Sequence, residues 1–142
     1  MPYALGTPTV NKGFLKNEVH KLNQAFVVAT GETIYAGMPV TLNATGQAVA
    51  GTSGVTRINA VGYALFGATA GETVTVTMKA FAIIFAEAAD PLDPSTAVKY
   101  AGFNSTTKYN KVIDTSVDAT NFIGKSLTVA AATGDIVEVA IL

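Results

Sequence analysis

The feature that most constrains the fold of this chain is an internal repeat. Residues 62–65 (GYAL) precede an alanine- and threonine-rich stretch and then residues 71–76 (GETVTV). The same order recurs at residues 124–127 (GKSL) and 134–139 (GDIVEV), with one extra residue between the two motifs. Both copies follow the form Gly-x-small-Leu and then Gly-acid-x-Val-x-Val. Self-similarity of this kind indicates duplicated structural units.

Each part of the repeat has a structural meaning. We expect Gly71 and Gly134 to supply the flexible backbone of a turn, with the following acid on the exposed side. The alternating valines then place one strand of each copy on the core. Weaker matches upstream pair Val40 with Val98 and Val49 with Val112.

The rest of the sequence favours β-structure. Of the 142 residues, 49% are hydrophobic and only 13% charged, and Val, Thr, Gly and Ala are abundant. Residues 73–78 (TVTVTM) alternate with period two, so the threonines should form an outer face, and residues 81–86 (FAIIFA) predict a buried central strand. We therefore predict an all-β fold, a small β-sandwich or barrel built from two similar β-units at approximately 32–80 and 93–142. These units form a single β domain over residues 26–142.

The first 25 residues form a separate segment in this interpretation. Prolines occur near the start, and residues 11–22 contain three lysines and one glutamate. We predict an extended N-terminal arm over residues 1–25, which either folds onto its own domain as an edge strand or helix or reaches a neighbouring molecule. A second polar stretch, residues 102–110 (GFNSTTKYN), is predicted to be an exposed tip, either solvated or in contact with a partner.

The sequence offers little for catalysis or metal binding. There is no cysteine and only one histidine, His20, and no serine lies in a Gly-x-Ser-x-Gly setting. Asp90 and Asp93 are separated by proline and lack the glycine of a calcium loop. No glycine-rich phosphate motif occurs. We therefore expect no enzyme activity, no catalytic residues, no metal and no cofactor.

Charge and hydropathy exclude two further classes of partner. The formal net charge of −1 argues against an extended face for nucleic acid. The longest apolar stretch, residues 80–86, is too short to span a bilayer, and no secretion signal is visible at the start. We expect neither a nucleic-acid partner nor a membrane partner.

Several motifs resemble those of the capsid decoration (cement) proteins of tailed bacteriophages. They lie at residues 36–40 (AGMPV), 61–65 (VGYAL), 70–76 (AGETVTV), 123–127 (IGKSL) and 134–139 (GDIVEV). The resemblance covers residues 30–142, and residues 99–121 depart from the pattern. It implies a small β-rich protein, often a trimer, that binds the outside of an assembled head and stabilises the mature lattice. The implied partner is the shell of major capsid protein.

The same resemblance gives a location and a contact site. The protein would be made in the host cytoplasm and reside on the outer surface of the capsid in the virion. An N-terminal arm that reaches the shell would map to residues 1–25, with apolar anchors and lysines that steer it toward an acidic surface. The candidate contact residues are Tyr3, Leu5, Lys12, Phe14, Leu15, Lys16 and Lys21.

Two alternatives remain open at this point. One is another structural component of a phage, such as the base of a head fibre or a tail-tube subunit. The other is a carbohydrate-binding β-sandwich adhesin, which needs an exposed aromatic platform. The chain has no tryptophan, so the candidate platform residues are Tyr35, Tyr63, Tyr100 and Tyr109, of which Tyr63 is expected in the core.

Overall fold

The structure is a computed structural model that describes residues 22–56, 58–78 and 82–142, together with the backbone of residues 15–17. This part of the chain contains thirteen β-strands and no helix, which confirms the predicted all-β fold. The strands are β1 Leu15–Asn17, β2 Asn23–Val27, β3 Thr33–Ile34, β4 Pro39–Leu42, β5 Ala48–Ala50, β6 Gly62–Ala64, β7 Ala68–Thr69, β8 Thr73–Met78, β9 Ile83–Ala88, β10 Ala97–Asn104, β11 Tyr109–Ile113, β12 Phe122–Ser126 and β13 Ile136–Ile141.

The strands form two units with the same connectivity. In the second unit, β9, β13, β12, β10 and β11 pair in that order, and β11 runs parallel to β9, so the pairing closes a small barrel. In the first unit, β2, β8, β6, β4 and β5 pair in the same order. A single parallel bridge between Val28 and Ala48 completes this ring. The shared connectivity begins at β2 in the first unit and at β9 in the second. Each of these strands lies before the predicted start of its repeat unit, at approximately residue 32 or 93, and the limits of the repeat units stay a prediction.

The hydrogen bonds at this closure correct one match in the repeat. The Ala29 N–H donates to the Ala48 carbonyl at 2.9 Å, and the Ala89 N–H donates to the Val112 carbonyl at 2.8 Å. The structural counterpart of Val112 is therefore Ala48, and the predicted match with Val49 is wrong by one residue. Side chains alternate between the two faces of a strand, so Ala48 and Val112 are both buried, whereas Val49 points the other way.

The repeated Gly-acid pair forms the same turn in both units. Gly71 and Gly134 have φ angles of 85° and 94°, a backbone conformation that residues with a side chain rarely adopt. This confirms the predicted turns. The Glu72 carboxylate accepts the N–H of Thr69 at 2.7 Å, and the Asp135 carboxylate accepts the N–H of Ala132 at 3.0 Å. Hydrogen bonds from the backbone and side chain of Thr69 lower the pKa of Glu72. The acid is thus repeated because it closes the turn.

The other repeated glycine is required by a close approach of two strands. Val40 pairs with Gly62 and Val98 pairs with Gly124, which confirms the predicted match of Val40 with Val98. A Cβ atom on Gly62 would lie 2.1 Å from the carbonyl oxygen of Thr77, and one on Gly124 would lie 1.9 Å from that of Ala140. Backbone atoms cannot move aside without breaking the sheet.

The two units share part of one core. The hydrophobic cluster formed by the buried residues of the second unit also includes four side chains of the first unit, namely Val55, Ala60, Tyr63 and Leu65. The Tyr100 hydroxyl donates to the Gly51 carbonyl at 2.6 Å, and the Asn110 amide donates to the Gly37 carbonyl at 2.7 Å. The outer face of the first unit is therefore packed and hydrogen-bonded against the second.

Substitution Gly124→Ala should lower the free energy of unfolding by ~3 kcal/mol or more, because the added methyl group overlaps the backbone of β13. Gly71→Ala is the matched control, since it has open space and only the strain of its positive φ, ~1–2 kcal/mol. Urea unfolding measures both. Equal losses in the two variants would contradict the close-approach explanation.

Stability should also fall above pH ~10. Burial raises the pKa of the Tyr63 phenol and the pKa of the Tyr100 phenol. A negative charge on Tyr63 would raise the pKa of Tyr100 further. Unfolded tyrosine ionises near pH 10, so above that pH the unfolded chain binds fewer protons than the folded one. Each buried phenol then removes up to ~1.4 kcal/mol per pH unit. Urea unfolding between pH 9 and 11 measures this, and Tyr63→Phe should reduce the slope.

Candidate interaction surface

The predicted contact residues of the N-terminal segment lie mostly outside the described part of the chain. These are Tyr3, Leu5, Lys12, Phe14 and Lys21. Leu15 and Lys16 belong to β1, whose backbone pairs antiparallel with β9 of the same chain. For residues 15–17 the structure thus gives the first of the two alternatives, an edge strand on its own domain.

Among the described residues, packing between the units covers one face of the first unit and leaves the equivalent face of the second partly exposed. Leu65 and Leu127 occupy the same place in the repeat, yet Leu65 is 6% exposed and Leu127 is 46% exposed. The counterpart of buried Tyr63 is Lys125, which is exposed. We call this partly exposed surface the open face. It consists of Lys125, Leu127, Ile136, Glu138 and Ala140.

The expected outer face of threonines in the first unit is only partly exposed, because the same packing covers part of it. Thr73 is exposed and Thr75 is half-buried, but Thr77, which pairs with Tyr63, is completely buried. Its hydroxyl has no hydrogen-bond partner among the described residues. A strict alternation of Val and Thr predicts which face is outward, and it does not predict that a second unit covers part of that face.

The open face is built on two adjacent strands. Lys125 pairs with Ala140, and the Leu127 N–H donates to the Glu138 carbonyl at 2.7 Å. The Ile136 side chain is 44% exposed at the start of β13. Exposed apolar side chains grouped together and rimmed by polar residues are one mark of a surface that binds protein. The strands β1, β9, β13 and β12 are consecutive, so residues 15–17 of the N-terminal segment lie in the same sheet as the open face.

The hairpin at residues 102–110 differs from the prediction of an exposed tip. It belongs to β10 and β11, and only Ser105 and Thr106 are exposed. Phe103 stacks on Tyr35 of the first unit with a centroid distance of 5.7 Å, and the Lys108 ammonium lies 4.3 Å from the same ring. The hairpin therefore joins the two units, because its aromatic and polar groups find partners inside the protein.

A buried carboxylate holds this hairpin in place. Glu87 on β9 accepts a hydrogen bond from the Asn104 amide at 3.0 Å, and its other oxygen accepts one from the Thr107 hydroxyl. The Asn104 side-chain oxygen accepts the N–H groups of Thr106 and Thr107 at 3.0 and 3.3 Å. Both carboxylate oxygens are satisfied, so the geometry assigns Glu87 a structural role.

Other polar groups singled out in the sequence also serve local structure. The Asp93 carboxylate accepts the N–H and the hydroxyl of Ser95, which lowers its pKa and forms a turn. Within residues 22–56, 58–78 and 82–142, no group of three or more His, Cys, Asp or Glu is arranged to hold a metal ion. No helix in the same described ranges is long and apolar enough to cross a membrane.

The candidate aromatic platform is largely unavailable. Tyr63 and Tyr100 are buried between the units. The ring of Tyr35 contacts Phe103 and Lys108, and Tyr109 is half-buried in β11.

The fold is similar to that of a known structure. It matches the crystal structure of the N base of the head fibre gp8.5 of bacteriophage phi29, with a TM-score of 0.52 and 12% sequence identity. The match covers 85% of this chain and 95% of that chain. At this identity the likeness concerns the fold. No protein-family model matches the chain, and no curated protein matches its sequence.

Truncating two equivalent leucines should test which face is covered. Leu65→Ala removes a side chain packed between the units and should cost ~2–5 kcal/mol of unfolding free energy. Leu127→Ala should cost less than ~1 kcal/mol, because the side chain is half exposed. Urea unfolding of the two variants under one condition measures the difference. Similar losses would show that the two faces are equally covered.

Proposed function

We propose that this chain is a structural protein of a tailed-phage virion that binds the outer surface of the assembled head through its shell of major capsid protein. The likeness of its fold to the base of a phage head fibre carries the proposal. The sequence motifs that resemble capsid decoration proteins support the same location independently. The virion is then the place where the protein acts.

The finer role that we propose is stabilisation of the mature capsid lattice, without a chemical step. A protein that binds only the assembled shell stabilises it by mass action. Each copy needs to contribute only a few kcal/mol, because many copies bind one particle. Preference for the mature lattice over an immature one requires only a difference in affinity.

The open face and the N-terminal segment are the proposed contact surfaces. Leu127 and Ile136 provide exposed apolar area, and Lys125 and Glu138 provide charges of both signs beside it. The backbone of β1 connects this face to residues 1–14, which include the proposed anchors Tyr3, Leu5 and Phe14. Lys12, Lys16 and Lys21 would steer the segment toward an acidic shell, with Leu15 as a further anchor. A trimer, as the resemblance implies, would bring three such surfaces to one site on the lattice.

A second candidate function is the base of a head fibre. The fold likeness favours it directly, since the similar structure is itself a head fibre base. In both roles the protein would bind the surface of the head. The two roles differ in whether the bound protein also carries a projecting fibre. A tail-tube subunit would instead assemble into rings or tubes alone. An adhesin would need an exposed tyrosine platform, and two of its four candidate residues, Tyr63 and Tyr100, are buried.

Gold-labelled antibody against the purified protein, applied to intact particles of the phage that encodes the chain, tests the location. Label distributed over the head surface supports the decoration role, and label at the base of projecting fibres supports the fibre role. Label confined to the tail, or absence of label from purified particles, would refute the proposal.

The open face gives a quantitative prediction. The double variant Leu127→Glu with Ile136→Glu should weaken binding to heads that lack the protein by at least tenfold, which corresponds to ~1.4 kcal/mol. Both side chains are exposed, so folding should be retained. Ala70→Glu is the control, because Ala70 is exposed beside the Gly71 turn of the first unit and outside the open face, and this variant should bind as the wild type does. Co-sedimentation with the heads measures the affinity, and unchanged binding of the double variant would remove the open face from the interface.

A further inference from the structure

The first unit has an open sheet edge at β2. One edge of β2 pairs with β8 along its whole length. Along the other edge, the described residues provide only the bridge between Val28, which follows the strand, and Ala48. Four of the five side chains of β2 are exposed and the fifth, Phe26, is half-buried. The strand is therefore accessible to another chain.

The backbone groups at this edge can be assigned from the register. The Met78 N–H donates to the Leu22 carbonyl, and the Val28 N–H donates to the Glu72 carbonyl, both at 2.8 Å. Hydrogen bonding alternates along an antiparallel strand, so even-numbered residues of β2 bond to β8. The N–H and C=O groups of Asn23 and Ala25 consequently point to the open edge.

The equivalent edge in the second unit is covered. There, β1 pairs with Ile83 and Ile84 of β9, and β11 pairs with Ala86–Ala88. In the first unit, β5 is the counterpart of β11, and it reaches β2 only at the bridge to Val28. Among the described residues, no second strand corresponds to β1, so they place no strand beside the rest of this edge of β2.

The open edge also lacks the usual protection against pairing. Natural edge strands carry lysine, proline or a bulge, or are very short. The five residues of β2, NQAFV, include no charge and no proline, and their register with β8 is continuous. A strand of this kind is suited to pair with a further strand.

We propose that β2 of a second copy of this chain occupies this edge in the antiparallel direction, with Ala25 opposite Ala25 of the partner copy. Such a two-fold contact closes both open edges at once. An uncharged strand can oppose itself without repulsion, and the small side chain of Ala25 allows close approach at the axis. This contact goes beyond the proposed function and does not depend on it, because it concerns the purified protein alone.

Proline at the axis tests the hydrogen bonding. In Ala25→Pro, the lost N–H points away from β8, so the fold should be retained while the contact loses its central pair of bonds. Ala25→Thr keeps the N–H and is the matched control. Sedimentation equilibrium should show that the wild type and Ala25→Thr associate and that Ala25→Pro has at most half their mass. A wild-type mass equal to that of folded Ala25→Pro at every concentration would overturn the proposal.

Opposite charges at the same position test the register without relying on proline. Ala25→Lys and Ala25→Glu should each dissociate more readily than the wild type at low salt, by at least tenfold in the dissociation constant. Mixing the two should restore association, because the two residues then face each other across the axis. Failure of the mixture to associate would show that residue 25 does not lie opposite residue 25 of a second copy, and it would overturn the proposal. The edge would then pair with a strand of another protein, with residues 1–14 of the same chain, or with no strand.

Discussion

The packing of Tyr63 against the second unit, in a hydrophobic cluster that both units share, is the contact on which the rest of the molecule depends. Its side chain is 1% exposed and lies on the outer face of β6, where an isolated unit would meet water. The Tyr100 hydroxyl donates a hydrogen bond to the carbonyl of Gly51, which directly follows β5 of the first unit. Two units with one connectivity thereby become unequal, since the same surface is an interface in the first and free in the second.

The reason for sharing a core is the small size of each unit. A domain of about 60 residues buries only about 60% of the surface of its unfolded chain and is marginal in stability. Packing one unit on the other removes Leu65, Ala60 and Val55 from water without lengthening either barrel. The hairpin between β10 and β11 adds the stack of Phe103 on Tyr35, so it contributes to the join and not to a solvent-exposed tip.

Sequence reasoning could predict what depends on local chemistry. The turn at Gly71 and its acid, and the buried valines of β8 and β13, follow from backbone preference and period two. It could not predict the counterpart of Val112, because Ala48 and Val49 both suit a strand and only register separates them. It also could not predict the candidate surface. Leu65 and Leu127 are the same residue in the same motif, and long-range packing alone makes one buried and the other exposed.

Because the two units expose different surfaces, two kinds of contact with neighbours would use different parts of the molecule. The open face lies on β12 and β13 of the second unit, and the unprotected edge lies on β2 of the first, so neither uses a strand of the other. Contact with a foreign surface through side chains and contact with a second copy through backbone can therefore coexist on one molecule. Duplication creates two equivalent positions for each feature. Packing between the units covers one of the two equivalent faces, and β1 and β11 cover one of the two equivalent edges. Among the described residues, the other position of each pair is the one available to a neighbour.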